Sequence, residues 1–362
     1  MRSTIFVNRA GRISGAEVVM LKLIDVALDR GHRVQVVCPD GPLADQLPDG
    51  VSHLRIDELD LGGSSQGNRA TALLELARRW RRAAKVIRGA VGPGSRIVVN
   101  SLQALPAARL AHPSGGVSWL VHDTISESKQ RLLVRASAAV ISRAVAVSPP
   151  TAEAVRALGI ETRVAPLGVR IPPARSNRAV GEIPIIGIMG SVTPWKGHRV
   201  LFDALAQIPD VRLEVAGSVF HADRAYGDEL VQIASRPPLA GRVSFLGHVD
   251  PLSTIANWDV LVSASTSPEA GPIVALEAMS LGVPVIGTDH GGCAWLLRDG
   301  AGVLVPPGDS SALATAIKTV LGRGPMDLAP MLASARQRVV DDHDVTKTYP
   351  AMLDALLGPG GL

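Results

Sequence analysis

Short apolar strands alternate with amphipathic helical stretches along this chain, stop, and begin again; few folds accept that pattern. The first series of strand-like runs is "TIFVN" (4–8), "RVQVVC" (33–38), "RIVVN" (96–100), "VSWLV" (117–121) and "AVAVS" (144–148), with helical periodicity near 16–30, 70–89 and 149–158. The second series is "PIIGIM" (184–189), "VRLEVAG" (211–217), "RVSFLG" (242–247), "WDVLVSA" (258–264), "VPVIG" (283–287) and "GVLVP" (302–306). Strands alternating with helices imply α/β architecture, with parallel sheets covered on both faces. Between the two series, "GVRIPPARSNRAVGEIP" (168–184) is rich in Pro, Arg and small polar residues and has no periodicity. It reads as the link between two Rossmann-like domains, 1–170 and 183–344. The stretch "VTKTYPAMLDALL" (345–357) is expected to cross back and pack as a helix on the first domain. In such sheets ligands bind beyond the carboxyl ends of the strands, so two domains facing a central cleft are expected to carry their chemistry in the strand-to-helix loops.

Composition excludes several classes. Hydrophobic residues make up 46% of the 362 and charged residues 19%, enough for two packed cores. The 2 cysteines, Cys38 and Cys293, suffice for neither a disulfide framework nor a metal site. The opening "MRSTIFVNRAG" lacks the apolar run of a signal peptide, and no stretch reaches the ~20 residues that span a bilayer, so a cytoplasmic protein is expected. Charge is uneven: residues 1–170 hold 23 Lys/Arg against 14 Asp/Glu, and the remainder 14 against 19. A basic half attracts phosphates, nucleic acid or an anionic membrane surface. With 4 Phe, 5 Trp and 2 Tyr there is little to stack on bases, which sets nucleic acid aside. Along "TALLELARRWRRAAKVIR" (71–88), Leu73, Leu76, Trp80, Ala84 and Ile87 fall at helical spacing and are expected to face the core. The arginines and Lys85 on the other side form either a solvated face or a contact with an anionic partner, which is an anionic acceptor or, peripherally, the lipid of the inner membrane face.

The sharpest chemistry lies in "SPEAGPIVALEAMSLGVPVIGTDHGG" (267–292). A buried strand ends, the chain turns, and a helix is expected to begin near Pro272, which wastes no amide proton there. Gly271 lets a ligand approach the backbone, and the free amides of Ile273 and Val274 at the positive helix end suit a phosphate. Glu269 and Glu277, eight residues apart, span roughly 12 Å or less at 1.5 Å per residue. That is the scale of a nucleotide sugar, with one carboxylate for sugar hydroxyls, the other for ribose hydroxyls, and the diphosphate between. The plainer alternative makes Glu269 a favourable helix start and Glu277 a tolerated polar residue.

This stretch resembles the signature of the family 4 retaining glycosyltransferases, which have the two-domain GT-B fold. The family pattern is Glu, seven residues, Glu-Ala-Met, a Gly-x-Pro-Val strand, then Gly-Gly. The resemblance implies that Glu269 contacts the donor sugar and Glu277 the ribose. Many members read Glu-Pro-Phe-Gly where this chain has Glu269-Ala270-Gly271-Pro272, so the diphosphate contact is expected to shift to Ile273 and Val274. "RISGAEVVMLKLIDVALDRGHRVQVVC" (12–38) resembles the family's Gly-Gly-Ala-Glu loop, with Ser14 in place of a glycine and the Gly15 amide directed at the donor's β-phosphate. "WLVHDT" (119–124) resembles its His-Asp strand end, with His122 facing the reacting sugar; a lone His there is otherwise structural. "GIMGSVTPWKGH" (187–198) resembles the loop that holds the diphosphate: Gly190 and Lys196 fit, and Ser191 replaces a frequent Arg. "FLGHVD" (245–250) resembles the loop whose backbone, at His248 and Val249, meets the base. Ser14, Asn100, His122 and Asp123 are the expected acceptor-side residues.

The expected activity is retaining, metal-independent transfer of a hexose or amino sugar from a nucleoside diphosphate sugar, UDP favoured, to an acceptor hydroxyl of a small molecule, natural product or envelope glycan. No metal or other cofactor is expected, and the chain is read as a monomer or homodimer. Glu269, His122 and Lys196 are the expected catalytic residues: the first two orient the sugar and support the positive charge on its ring, and Lys196 stabilises the leaving diphosphate. A nucleotide-sugar 2-epimerase-like enzyme and a non-catalytic two-domain binder are the alternatives. No Gly-x-Gly-x-x-Gly follows either first strand, which argues against a nicotinamide dehydrogenase.

Overall fold

The computed structural model of the protein describes residues 2–59, 69–173 and 183–358, so the middle of the expected link, 174–182, lies outside the described residues. Two compact units are present: residues 1–167 with 347–362, and residues 168–346.

The first unit is a parallel sheet of seven strands. They are β1 (Ser3–Val7), β2 (Arg33–Cys38), β3 (Ser52–Arg55), β4 (Arg96–Val99), β5 (Val117–Val121), β6 (Ile141–Ala146) and β7 (Thr162–Val164), in spatial order β3-β2-β1-β4-β5-β6-β7. The second unit is a parallel sheet of six: β8 (Ile185–Met189), β9 (Arg212–Ala216), β10 (Val243–Gly247), β11 (Val260–Ser263), β12 (Val285–Thr288) and β13 (Val303–Val305), in order β10-β9-β8-β11-β12-β13. Each sheet therefore reverses its winding beside its own first strand, between β1 and β4 and between β8 and β11. That reversal parts the crossover connections and opens a crevice at the strands' carboxyl ends.

The apolar runs become the central strands because both faces are covered by helices: β5 is buried at every residue, as are β11 and β12. Two strands carry no apolar run. β3 is "SHLR" and β7 is "TRV", both short edge strands that need no alternation, because at most one face and one ladder are satisfied. β6 begins at Ile141, three residues ahead of the expected run, with the polar Ser142 and Arg143 at the less covered end.

The helix Arg69–Ala90 carries Leu76, Ala84 and Ile87 into the core, with Trp80 partly buried against it. Leu73 departs from the expected stripe and is 56% exposed. Twenty-two residues of helix run roughly 33 Å, about twice the length of the four- and five-residue strands beneath, so the first turns extend past the layer. The helix Val345–Leu357 belongs mainly to the first unit, burying Tyr349, Met352, Leu353, Leu356 and Leu357. Arg30 pairs with Asp354 at 2.5 Å, and the Ser118 hydroxyl donates to the Leu356 carbonyl. No helix among the described residues is long and apolar enough to cross a membrane.

In the second unit Trp258 closes one face of the sheet. Its ring lies where a side chain on Gly187 of β8 would stand, and its indole N–H donates to Glu214 of β9 at 2.7 Å. Replacing a fully buried indole leaves a large cavity and an unpaired carboxylate. Trp258→Ala should therefore lower stability by about 3–5 kcal/mol. Urea unfolding followed by far-UV circular dichroism checks this, and a change below about 1 kcal/mol would mean that the ring carries no packing load.

Candidate functional site

Each unit gathers polar side chains at its own point of reversed winding. In the second unit the loop after β8 meets the loop after β11. A single 3-10 turn, Pro194–Lys196, follows β8 and ends at Gly197 with φ +74°. A Cβ there would stand 1.8 Å from the Ala264 carbonyl oxygen, so only glycine lets the two loops touch. Thr266 ties them by donating its backbone N–H, at 2.7 Å, to the Trp195 carbonyl. Lys196 is thereby delivered to Glu269, and the ammonium donates to the carboxylate at 2.7 Å. The ammonium also lies 4.5 Å above the Trp195 ring. Ser265 donates a short hydrogen bond to the other carboxylate oxygen, and Ser263 donates to the same atom at 3.4 Å.

Glu269 is 8% exposed, so the pair stands largely out of water. Burial pushes its carboxyl up. The Lys196 charge and hydrogen bond, together with the two serines, outweigh that and hold it below the usual carboxylate range. The backbone of Glu269 is fixed as well, because its carbonyl accepts from the Gly292 amide at 2.7 Å. A Cβ on Gly292 would come within 2.3 Å of the Ala270 carbonyl oxygen, which is the physical need behind the Gly-Gly pair.

The helix Ile273–Leu281 starts one residue later than expected, with Pro272 as its N-cap. Ile273 and Val274 then occupy its first positions, where amides have no intrahelical partner. Glu277 is half-buried within it, and burial, aided by the neighbouring Asp250, pushes its carboxyl up to about 7. Asp250 caps the short helix Pro251–Ile255, accepting from the Ser253 amide at 2.9 Å, and that helix packs against Ile273–Leu281. Glu277 is thus associated with the loop after β10 that carries the exposed His248 and the half-buried Val249, and Lys196 with Glu269. Gly190 sits at the end of β8 with φ +147°, and a Cβ there would face the Lys196 side chain at 3.6 Å. Ser191 is half-buried in the same loop.

In the first unit the loops after β1, β4 and β5 converge. Ser14 and Gly15 are exposed at the start of the helix Gly15–Asp29. Asn100, which follows β4, is 1% exposed and donates to Asn8 at 3.1 Å and to the Ala16 carbonyl at 3.3 Å. His122, which follows β5, contacts the Asn100 side-chain oxygen through Nε2 at 3.1 Å. The residue as a whole is half-buried, but its surroundings desolvate the imidazole enough to pull it down to about 3, so it is neutral at physiological pH. The Asp123 carboxylate accepts from the Leu102 amide at 3.2 Å. Burial raises its pKa, with Arg9 opposing and Glu17 reinforcing.

Sequence reasoning missed Asn8, Glu17, Ser263, Ser265 and Asp250. One signal was available: "TIFVN" and "RIVVN" both end in Asn, at Asn8 and Asn100, and these two side chains meet. Among the described residues no three His, Cys, Asp or Glu side chains are grouped to hold a metal ion.

Comparison with known proteins finds two matching families. "Glycosyltransferase Family 4" matches residues 13–171 and "Glycosyl transferases group 1" matches residues 183–323. A D-inositol 3-phosphate glycosyltransferase of Mycolicibacterium gilvum is 32% identical over 190 residues, covering 51% of this chain and 41% of that protein. The Mycobacterium tuberculosis protein of the same name is 32% identical over 193 residues, 51% of this chain and 39% of its own. The match thus spans about two fifths of these curated relatives. Among solved structures, Anabaena HepE in complex with UDP and glucose superimposes with a TM-score of 0.81 at 24% identity, covering 99% of this chain and 100% of that one. Sucrose-phosphate synthase from Thermosynechococcus elongatus gives 0.77 at 22%, covering 97% of both. Together with the two parallel sheets, these likenesses show the GT-B fold.

The buried ion pair generates a stability prediction. A carboxyl held below its unfolded value contributes stability that is present above the ordinary carboxylate pKa near 4.5 and is lost as pH falls through the folded value. Lys196→Met leaves Glu269 buried without its cation, at a cost of about 3–5 kcal/mol near neutrality. Because Lys196 is 19% exposed, the lower end applies. In urea unfolding the gap between wild type and variant should be widest above pH 5 and close toward pH 3; a gap independent of pH would refute the pairing.

Proposed function

The chain belongs to the family 4, group 1 glycosyltransferases, and we propose that it moves a hexose or amino sugar from a nucleoside diphosphate sugar to an acceptor hydroxyl, with retention and without a metal. UDP is the favoured carrier, because HepE, of the same fold, has been solved with UDP and with UDP-glucose. The acceptor is a small molecule, a natural product or an envelope glycan; the relatives named for an inositol phosphate favour a polyhydroxylated one.

The observation that carries this reading is the Lys196–Glu269 pair at the β8–β11 reversal, beside the free amides of Ile273 and Val274. An ammonium next to a helix start gives a diphosphate its neutralising charge, and a carboxylate fixed by two serines accepts from sugar hydroxyls. As the anomeric C–O bond breaks, charge grows on the β-phosphate; Lys196 and the amides of Ile273 and Val274 stabilise it more than they stabilise the bound sugar. The leaving phosphate oxygen takes the acceptor's proton on the same face, so no side-chain base is needed. Glu277 accepts from the ribose hydroxyls, while the backbone at His248 and Val249 meets the base. Gly190, Ser191, Gly271 and Pro272 shape the donor pocket. Ser14, His122 and Asp123 face the acceptor and the reacting sugar.

A peripheral contact with an anionic bilayer is part of the proposal. The helix Arg69–Ala90 packs on Leu105–Ala111, which packs on Ser128–Ser137. Their outer faces present Leu74, 61% exposed, and Leu132, 69% exposed, among Arg81, Lys85, Lys129, Arg131 and Arg135. Leucines set in a field of cations suit a layer of anionic headgroups over acyl chains.

Two measurements test these readings. Glu269→Ala and Lys196→Ala should each cut transfer from UDP-sugar by roughly a hundredfold or more while the circular dichroism spectrum stays unchanged. Near-normal turnover in both would end the assignment. The protein should sediment with phosphatidylglycerol vesicles and not with phosphatidylcholine alone. Arg131→Glu with Arg135→Glu should lower that binding about tenfold or more, since each cation near the surface is worth about 1 kcal/mol. Equal sedimentation with both lipids, or none, would dismiss the bilayer.

A further inference from the structure

The histidine at the end of β5 terminates a chain of hydrogen bonds whose direction is set from its far end. Glu17, in the first turn of the helix Gly15–Asp29, is 4% exposed, and each of its contacts is a donor: the Ser14 amide at 2.9 Å, the Ser14 hydroxyl at 2.5 Å, and the Asn8 amide nitrogen at 3.0 Å. Asn8, fully buried, must turn its NH2 toward Glu17, and the same NH2 donates to the Ala10 carbonyl at 2.9 Å. Its oxygen is left facing Asn100. Asn100 must then give its NH2 to that oxygen and to the Ala16 carbonyl, which leaves its own oxygen facing His122. An amide oxygen can only accept, so His122 must donate through Nε2. In a neutral imidazole that puts the single proton on Nε2 and a lone pair on Nδ1.

We infer that Glu17, Asn8 and Asn100 act as positioning residues that fix His122 in the Nε2–H form, so that its Nδ1 offers a hydrogen-bond acceptor to a hydroxyl of the sugar or the acceptor. The inference rests on the glycosyl-transfer reading for the identity of that hydroxyl, and on geometry alone for the tautomer. It also changes the part expected of Asn100. Both ends of its amide are engaged inside the unit and 1% of the residue is exposed, so it holds His122 in place instead of touching the acceptor. The two asparagines meet because β1 and β4 are neighbours, and His122 joins them from β5, next in the sheet. A neutral imidazole with a fixed lone pair presents the same face to a substrate throughout the physiological pH range. A histidine with both nitrogens free to exchange the proton would offer a donor part of the time and waste that fraction of encounters.

The test uses the full chain labelled with 15N-histidine, read by long-range 1H–15N correlation at pH 7, with His122→Asn identifying the His122 signals. Wild type should show His122 wholly as the Nε2–H form. Asn100→Ala should yield a mixture of tautomers and lower kcat at least about tenfold, while the donor KM stays within about twofold. Asn100→Asp, which keeps an acceptor oxygen toward Nε2, should restore the single tautomer. A wild-type spectrum with the proton on Nδ1, or a mixture, overturns the inference, and decides it even if Asn100→Ala does not fold. An Asn100→Ala protein with an unchanged tautomer and unchanged kcat overturns it equally. Wild type with the Nε2–H tautomer and no transfer from any nucleotide sugar would instead sink the glycosyl-transfer reading and leave the relay standing.

Discussion

A carboxylate that is 8% exposed stays ionised only where a cation and hydrogen bonds replace the water it has lost, and at Glu269 Lys196 and two serines supply them. Much of the second unit's construction serves that meeting. Gly197 brings the β8 loop against Ala264, Thr266 latches onto Trp195, and the Gly-Gly start of the next helix receives the Glu269 carbonyl. None of these contacts is worth more than a few kcal/mol alone. Together they hold an ammonium and a carboxylate 2.7 Å apart, which under the proposed transfer leaves little reorganisation for the moment of bond breaking.

The pairing also bears on how charge is shared. Under the proposed transfer, Lys196 is the cation that the loop after β8 offers to the diphosphate, and Ser191 stands where the family resemblance leads one to expect Arg. An ammonium with three donors can keep Glu269 and still turn others toward phosphate oxygens, and its 19% exposure leaves it reachable. The Trp195 ring beneath it limits where the chain can swing. Glu277 differs in kind. Burial, reinforced by the neighbouring Asp250, raises it to about 7, and hydroxyl donors from a bound partner would favour its ionised form.

The two units solve the same problem with different chemistry. Each reverses its winding beside its first strand and gathers polar groups there, but the second assembles opposite charges and the first assembles amides around a neutral imidazole. Opposite charges suit a site that binds an anion. A directed amide chain suits one that orients hydroxyls.

Much was legible in the residues alone. Alternating apolar runs announced two parallel sheets because strands buried on both faces must be apolar throughout, and the spacing of Glu269 and Glu277 around Gly271-Pro272 marked a helix entrance. Edge strands such as "SHLR" were not legible, since half-covered strands need no pattern, and Leu73 kept the core's periodicity where the helix outruns the sheet. The partners of the site residues were beyond the sequence as well. Lys196 and Glu269 are 73 positions apart and Asn8 and Asn100 92 apart; they touch because β8 neighbours β11 and β1 neighbours β4. The sequence by itself determined which residues carry charge and where helices begin, because those depend on near neighbours along the chain. Strand order, and with it which side chains share a proton or an ion pair, was decided only when the sheets assembled, because adjacency in a parallel sheet is a property of the whole layer.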